Sequence, residues 1–240
     1  MWERIDLKMR AKGNFLKNYW PAVLVSLITL LVMVKFTNRY EDGKFWHTGI
    51  EFEYLNLNWN AVRYDSDFLG PMKILGGIAT LLDIFIFQVL LVGADRFYVE
   101  NRDYNAPVDK ILFGFKSGYY GNAVLVMFVK NLFTLLWTLL FVIPGIVKSY
   151  AYRMVPYILA EQPDIKYKDA IRISQEMMYG QKMDTFVLDL SFIGWSLLAA
   201  CTCGIAGIFY VKPYVDATNA ELYVVLRENW FAKSGTNSSF

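Results

Sequence analysis

The chain has 240 residues, of which 55% are hydrophobic, 17% aromatic and 19% charged. A soluble domain of this length is about 25% charged and seldom carries long apolar runs, so the composition argues for a membrane protein. The net charge of +2 is too small to point to nucleic acid, and the placement of each charge tells more than the total.

Residues 1–18 set Trp2, Ile5, Met9 and Leu16 near one face of a helix, with Arg4, Lys8, Arg10 and Lys12 largely on the other. That pattern predicts a helix lying in the membrane interface. The first apolar run begins only at Tyr19, and its far end, Lys35 to Arg39, offers no small-x-small cleavage site, so it reads as a retained helix and not a signal peptide. A first transmembrane helix is placed at 20–36, opened by Pro21 where a first-turn proline is tolerated.

Residues 37–70 form the long polar loop, with six acids against Arg39, Lys44 and Arg63. Asp42-Gly43 between Tyr40 and Phe45 signals a tight hairpin, and 50–61 alternates apolar residues with Glu or Asn. A small extracellular β-like cap is expected there, with His47, the single histidine, as an exposed loop residue. A second transmembrane helix follows at 72–92, with Asp83 at its middle and Gln88 beyond.

After Pro107, Val108, Ile111, Leu112 and Phe115 recur at i, i+3, i+4 and i+7, predicting a second interfacial helix at 107–118. The apolar run 123–143 is long enough, at about 1.5 Å per residue, to cross a bilayer core of roughly 30 Å. Pro144-Gly145 then reads as the turn into a fourth crossing at 146–160. A third amphipathic helix is expected at 166–180, ended by Gly180, followed by crossings at 185–209 and 211–226 and a disordered tail at 233–240. Cys201 and Cys203 lie inside an apolar run, too close for an unstrained disulfide and too few for a structural metal site.

The segments 1–18, 95–122 and 161–183 carry five, four and four Lys/Arg, and six crossings place all of them on one side, opposite the acidic loop. The positive-inside rule then puts both termini in the cytoplasm. The order of elements also repeats. Tyr19-x-x-Ala22-Val23-Leu24-Val25 returns as Tyr120-x-x-Ala123-Val124-Leu125-Val126, and Gly145-Ile146 leads to Pro156-Tyr157 as Gly204-Ile205 leads to Pro213-Tyr214. The expected fold is therefore an all-α polytopic membrane protein, a single domain of six transmembrane helices in three hairpin repeats, each preceded by an interfacial helix.

The run Ile143-Pro144-Gly145-Ile146-x-Lys148-x-Tyr150-Ala151-Tyr152, then Pro156-Tyr157-Ile158-Leu159-Ala160 and Pro163-Asp164-Ile165, resembles a bacterial membrane family known as domain of unknown function 975. Phe186 to Trp195 and Pro213-Tyr214-x-x-Ala217-x-x-Ala220-Glu221-Leu222-Tyr223 carry the same resemblance. A fainter similarity runs to the membrane portion of glycerophosphodiester phosphodiesterases. The resemblance implies architecture and no chemistry, since the family has no agreed activity. Family members begin the third amphipathic helix with a Ser-x-x-Glu capping box; here Lys166 and Asp169 occupy those positions.

The sequence holds no phosphate-binding glycine loop, no Gly-x-Ser-x-Gly elbow and no His-Glu-x-x-His, so neither a catalytic set nor a cofactor or metal is expected. What remains is a set of polar groups within spans: Asp83, Gln88, Lys130, Asn131, Arg153, Asp216 and Glu221. Charges in lipid cost several kcal/mol and are paired or line a wet cavity. Two readings follow: a fixed ion pair, with Asp83 facing Lys130 or Arg153, or a polar site that binds a lipid-like or amphiphilic molecule. The second implies a non-enzymatic protein of the bacterial cytoplasmic (plasma) membrane whose partners are membrane lipids. The alternative function is an accessory or immunity-type subunit that meets a partner protein or a second copy.

The topology is testable. A cysteine introduced near Gly43 should react with an impermeant reagent added to intact cells, whereas cysteines near Asn105 or Gln162 should react only after permeabilisation. Labelling at Gln162 in intact cells would remove the fourth crossing.

Overall fold

Apolar runs broken by proline and glycine give a chain made of helices. The computed structural model describes residues 2–37, 70–116, 118–202 and 204–234, with the side chains of all of these except 33–37 and 70–84. No strand occurs among the described residues, and the predicted β-like cap and His47 lie outside them. The elements run α1 (Arg4–Lys17), α2 (Tyr19–Thr37), α3 (Gly70–Glu100), a 3₁₀ helix (Val108–Phe115), α4 (Tyr120–Leu140), α5 (Val142–Ala151), α6 (Val155–Glu161), α7 (Tyr167–Met177), α8 (Lys182–Leu190), α9 (Ile193–Cys201), a π turn (Gly207–Val211) and α10 (Lys212–Ser234).

Several boundaries differ from the sequence reading. The helix predicted at 72–92 continues through Glu100, which brings Asp95, Arg96 and Tyr98 into the helix and out of the expected loop. The expected interfacial helix at 107–118 is the shorter 3₁₀ helix, with Ile111 buried and Leu112 and Phe115 exposed. The chain turns from α4 into α5 at the extended residue Phe141 and not at Pro144-Gly145. Pro144 is the third residue of α5, where its missing N–H would have no intrahelical partner in any case. Gly145 serves close approach instead of a turn, since a Cβ there would lie 2.6 Å from Thr138 Cα of α4.

The crossing predicted at 146–160 is broken at 152–154 into α5 and α6. Pro156 lies in the first turn of α6, and lacking an N–H it cannot carry the ladder on from α5. The crossing predicted at 185–209 is interrupted after α9, with turns at Thr202 and Gly204, and Gly204 adopts φ +84°. The return leg opens with the π turn and runs as one helix to Ser234, past the start of the predicted tail.

The core gathers at one end of the bundle. Phe15 of α1, Phe97 of α3, Met127 of α4, Leu159 of α6, Met178 after α7, and Leu222 and Leu226 of α10 are fully buried there. The opposite ends are bare: Leu139 is 81% and Ile143 76% exposed, and α9 has no buried residue. Such charge-free hairpin ends suit lipid and not water. Two stretches, Tyr120–Leu140 and Lys182–Cys201, are long and apolar enough to cross a membrane, and the pair α1 and α2, bent by 100°, makes up to three among the described residues. This is consistent with a membrane protein.

The 100° bend lays α1 across the packed end as a strut. Leu7, Ala11 and Phe15 are buried against the bundle, while Ile5, Met9 and Leu16 point away from it and stay exposed. The strut is pinned along its length: Trp2 Nε1 donates to Gln181 Oε1 (2.8 Å), Tyr214 donates to the Lys8 carbonyl (3.4 Å), and Asn18 Nδ2 donates to Asn101 Oδ1 (2.6 Å).

Gly145→Ala should lower stability by about 1–3 kcal/mol, because the new methyl presses on the α4 backbone. Thermal unfolding in detergent would measure it, and an unchanged midpoint would show that α4 and α5 part without cost.

Candidate functional site

Three polar groups are built into the helices, and α10 contributes to each. In the first, Asp216 accepts from Ser26 Oγ of α2 (2.8 Å) and takes both carboxylate oxygens to Lys212 Nζ, one turn earlier on α10. Ser26 Oγ also lies 2.7 Å from the Tyr98 hydroxyl of α3, which donates to the Ala22 carbonyl (2.8 Å). Asp95, one turn before Tyr98, is within electrostatic reach of Asp216, Lys212, Lys130 of α4 and the Tyr157 hydroxyl of α6. Five helices thus bring two carboxylates, two ammonium groups and three hydroxyls to one place. The Lys212 side chain is still 37% exposed and that of Asp216 19%.

The second group is a fork. Arg153 donates from Nη1 to Asp189 Oδ2 (2.6 Å) and from Nη2 to Asp189 Oδ1 (2.9 Å), and Nη2 also reaches Asn219 Oδ1 of α10 (2.8 Å). The Tyr150 hydroxyl completes it by donating to Asp189 Oδ2 (2.8 Å). A bidentate guanidinium–carboxylate pair is the strong, directional form of an ion pair. It ties the α5–α6 break to the end of α8 and to α10.

The third group sits under α1. Glu221 is 2% exposed; its Oε1 accepts from Asn14 Nδ2 (2.7 Å) and lies 3.4 Å from Arg102 Nε, while Arg10 Nε stands 4.0 Å from Oε2. Nearby, at the end of α3, Glu100 pairs with Lys110 Nζ (2.7 Å) and accepts from Arg96 Nε (2.7 Å) and the Tyr104 hydroxyl. Burial alone would raise the Glu100 carboxyl, but these hydrogen bonds and the Arg96 charge bring it below its usual range. The bond to Glu100 in turn holds Lys110 above its ordinary value.

Of the sequence candidates, Lys130 and Asp216 fall in the first group, Arg153 in the second and Glu221 in the third; Gln88 and Asn131 are half-buried and join none of the three. Arg153 pairs with Asp189, which is not among the sequence candidates. The Asp83 side chain lies outside the described residues, so its expected pairing stands apart from these contacts. The sequence reading passed over Asp95, Tyr98, Ser26, Tyr157 and Lys212. Asp95 and Tyr98 could have been found by letting the apolar period of α3 run on to Glu100, since Phe97 falls on the buried side with them. Among the described residues, no group of three or more His, Cys, Asp or Glu could hold a metal ion.

Removing one partner of a buried pair costs more than removing both. The Arg153–Asp189 pair is only partly buried, at 21% and 33% exposed, so Arg153→Leu should destabilise the protein by about 1–3 kcal/mol, and Arg153→Leu with Asp189→Leu should recover most of that loss. Unfolding midpoints of the two single variants and the double variant in one detergent would read the coupling; strict additivity would show that the fork contributes nothing.

No curated protein and no solved structure matches the chain. Residues 139–230, from the outer end of α4 into α10, include Arg153, Asp189, Asp216 and Glu221. They match the model of a family described as protein of unknown function (DUF975).

Proposed function

We propose that the protein is a non-enzymatic, six-crossing component of the bacterial cytoplasmic membrane that binds or passes an amphiphilic molecule. Its polar head would sit at the group formed by Asp95, Lys130, Lys212 and Asp216. In this frame α1, the 3₁₀ helix and α7 lie at the cytoplasmic interface with both termini, and the bare hairpin ends face outward. Ser26 stands seven residues into α2, about 10 Å along the helix at 1.5 Å per residue, which puts the site in the inner half of the bilayer.

The observation that carries the reading is an ion pair left partly open: Lys212 and Asp216 are 37% and 19% exposed, Ser26 and Tyr98 hydrogen-bond beside them, and Asp95 stands within electrostatic reach. Ionisable groups kept inside a membrane bundle at such cost mark a site more often than mere packing. Head groups carrying one or both signs of charge fit this set.

A second reading, an accessory subunit, draws on the uncovered hairpin ends. Helices of a partner protein would cover Leu139 and Ile143 as well as lipid does.

The test is purification in native lipid, followed by mass spectrometry of what co-purifies. The exchange Lys212→Asp with Asp216→Lys keeps the pair and moves its charges. It should preserve the fold and lower the enriched amphiphile by about tenfold, the equivalent of 1.4 kcal/mol. Wild-type occupancy in a folded exchange variant would leave the pair as a packing device alone.

A further inference from the structure

A separate cleft of about 480 Å³ opens where α3 and α6 end against the last turns of α10. It is lined by Arg96, Asp103, Glu161, Arg227, Glu228 and Phe231 among others, and its volume is that of a small-molecule site. It does not include the Asp95–Asp216 group and does not rest on the function proposed for it.

Two guanidinium groups are brought to consecutive residues at the end of α6. Arg96 donates from Nη1 to the Ala160 carbonyl and from Nε to Glu100, and its plane lies over Phe113 at 3.8 Å from the ring centre. Arg227 donates from Nη1 to the next residue, Glu161, which also accepts from the Tyr223 hydroxyl (2.7 Å). Each arginine is thus locked in place by part of its fork, and five N–H donors per guanidinium leave further donors on each for a ligand. Fixed arginines from two helices are suited to hold a phosphate by paired hydrogen bonds.

The carboxylates divide into two kinds. Glu100 is matched by Lys110 and Glu161 by Arg227. Asp103 makes no ion pair with a described residue, and Glu228 is 60% exposed, with Arg102 at 3.9 Å and Arg227 within electrostatic reach. The cleft therefore has a guanidinium pole and a carboxylate pole. A simple anion would meet the two exposed acids, Asp103 and Glu228, and a simple cation would meet the two arginines. A ligand carrying both signs, a phosphate and an ammonium a few atoms apart, satisfies both poles. Val99 and Phe231 supply an apolar wall beside it.

We propose that this cleft binds a phosphate–ammonium zwitterion, with the phosphate on Arg96 and Arg227 and the ammonium on Asp103 and Glu228. The source is either an aminophospholipid head group of the adjacent leaflet or a soluble phosphoamine.

The test uses the full chain in detergent, with O-phosphoethanolamine, inorganic phosphate, ethanolamine and β-alanine as separate probes, read by thermal unfolding and by calorimetric titration. Phosphoethanolamine should raise the unfolding midpoint, and the other three should not match it at equal concentration. Asp103→Asn with Glu228→Gln changes two exposed positions and should leave the fold intact. It should weaken phosphoethanolamine by about tenfold, to the level of inorganic phosphate, and improve the binding of phosphate itself. Arg227→Gln should abolish binding of both; if it fails to fold, the acid-pole double variant still decides. Inorganic phosphate or ethanolamine binding as well as the zwitterion would overturn the proposal. So would β-alanine doing so, or the double variant retaining wild-type selectivity. Nanodiscs of phosphatidylethanolamine against phosphatidylglycerol assign the source: added protection in the first marks the lipid head group, and equal protection marks the soluble molecule. Loss of this selectivity with the amphiphile of Lys212 and Asp216 still bound would separate the two sites.

Discussion

A charge carried into a helix bundle has to find its counter-group within the bundle, because the desolvation cost of leaving it alone exceeds most packing gains. In this chain that constraint converges on α10. Along one helix, Lys212 and Asp216 answer α2 and α3, Asn219 answers Arg153, Glu221 answers α1, and Arg227 answers α6. The residues between them, Ala217, Ala220, Leu222 and Val224, are buried. Small side chains let the neighbouring backbones come close, and the polar side chains then fix which neighbour sits where. α10 is long and nearly neutral in hydropathy because it packs on all sides by specific contacts and not by a single apolar face.

The same constraint explains why the packed end of the molecule is the polar end. α1 carries Asn14 and Asn18 on its inner face between Leu7, Ala11 and Phe15, so it can close over Glu221 and Asn101 while still burying apolar surface. The hairpin ends carry no such groups. The α4–α5 ends meet through close packing of Gly145 on Thr138 and through Lys148 over the Trp137 ring, and their outer apolar surface stands exposed.

Much of this was legible in the sequence, and the misses have physical causes. Apolar runs marked an all-helical chain, and the residues Ile5, Met9 and Leu16 that helical spacing set together are exposed on α1. Pro144-Gly145 misled because a proline is also at home in the first turn of a helix, and a glycine also serves close packing. Asp189 was passed over although it stands near the end of α8, where Arg153 reaches it from the break between α5 and α6. Asp95 looked like loop because charge density rises there, although the helix carries on for five more residues. In each case the deciding contact is made with a distant part of the chain, which spacing along one helix does not encode.

Two kinds of polar group can now be told apart by how completely the chain satisfies them. The Arg153–Asp189 fork is closed: both carboxylate oxygens accept from the guanidinium, with Asn219 and Tyr150 added at its edges, so a ligand could enter only by breaking it. The Lys212–Asp216 group is open, since both side chains stay partly exposed, at 37% and 19%. The cleft at the end of α3 and α6 is open in a different sense, with arginines that are locked and acids that are not. Closed networks give rigidity, whereas partly satisfied ones hold free energy that a ligand can recover. By that measure the fork is the frame of the molecule, and the two open groups are where binding is expected.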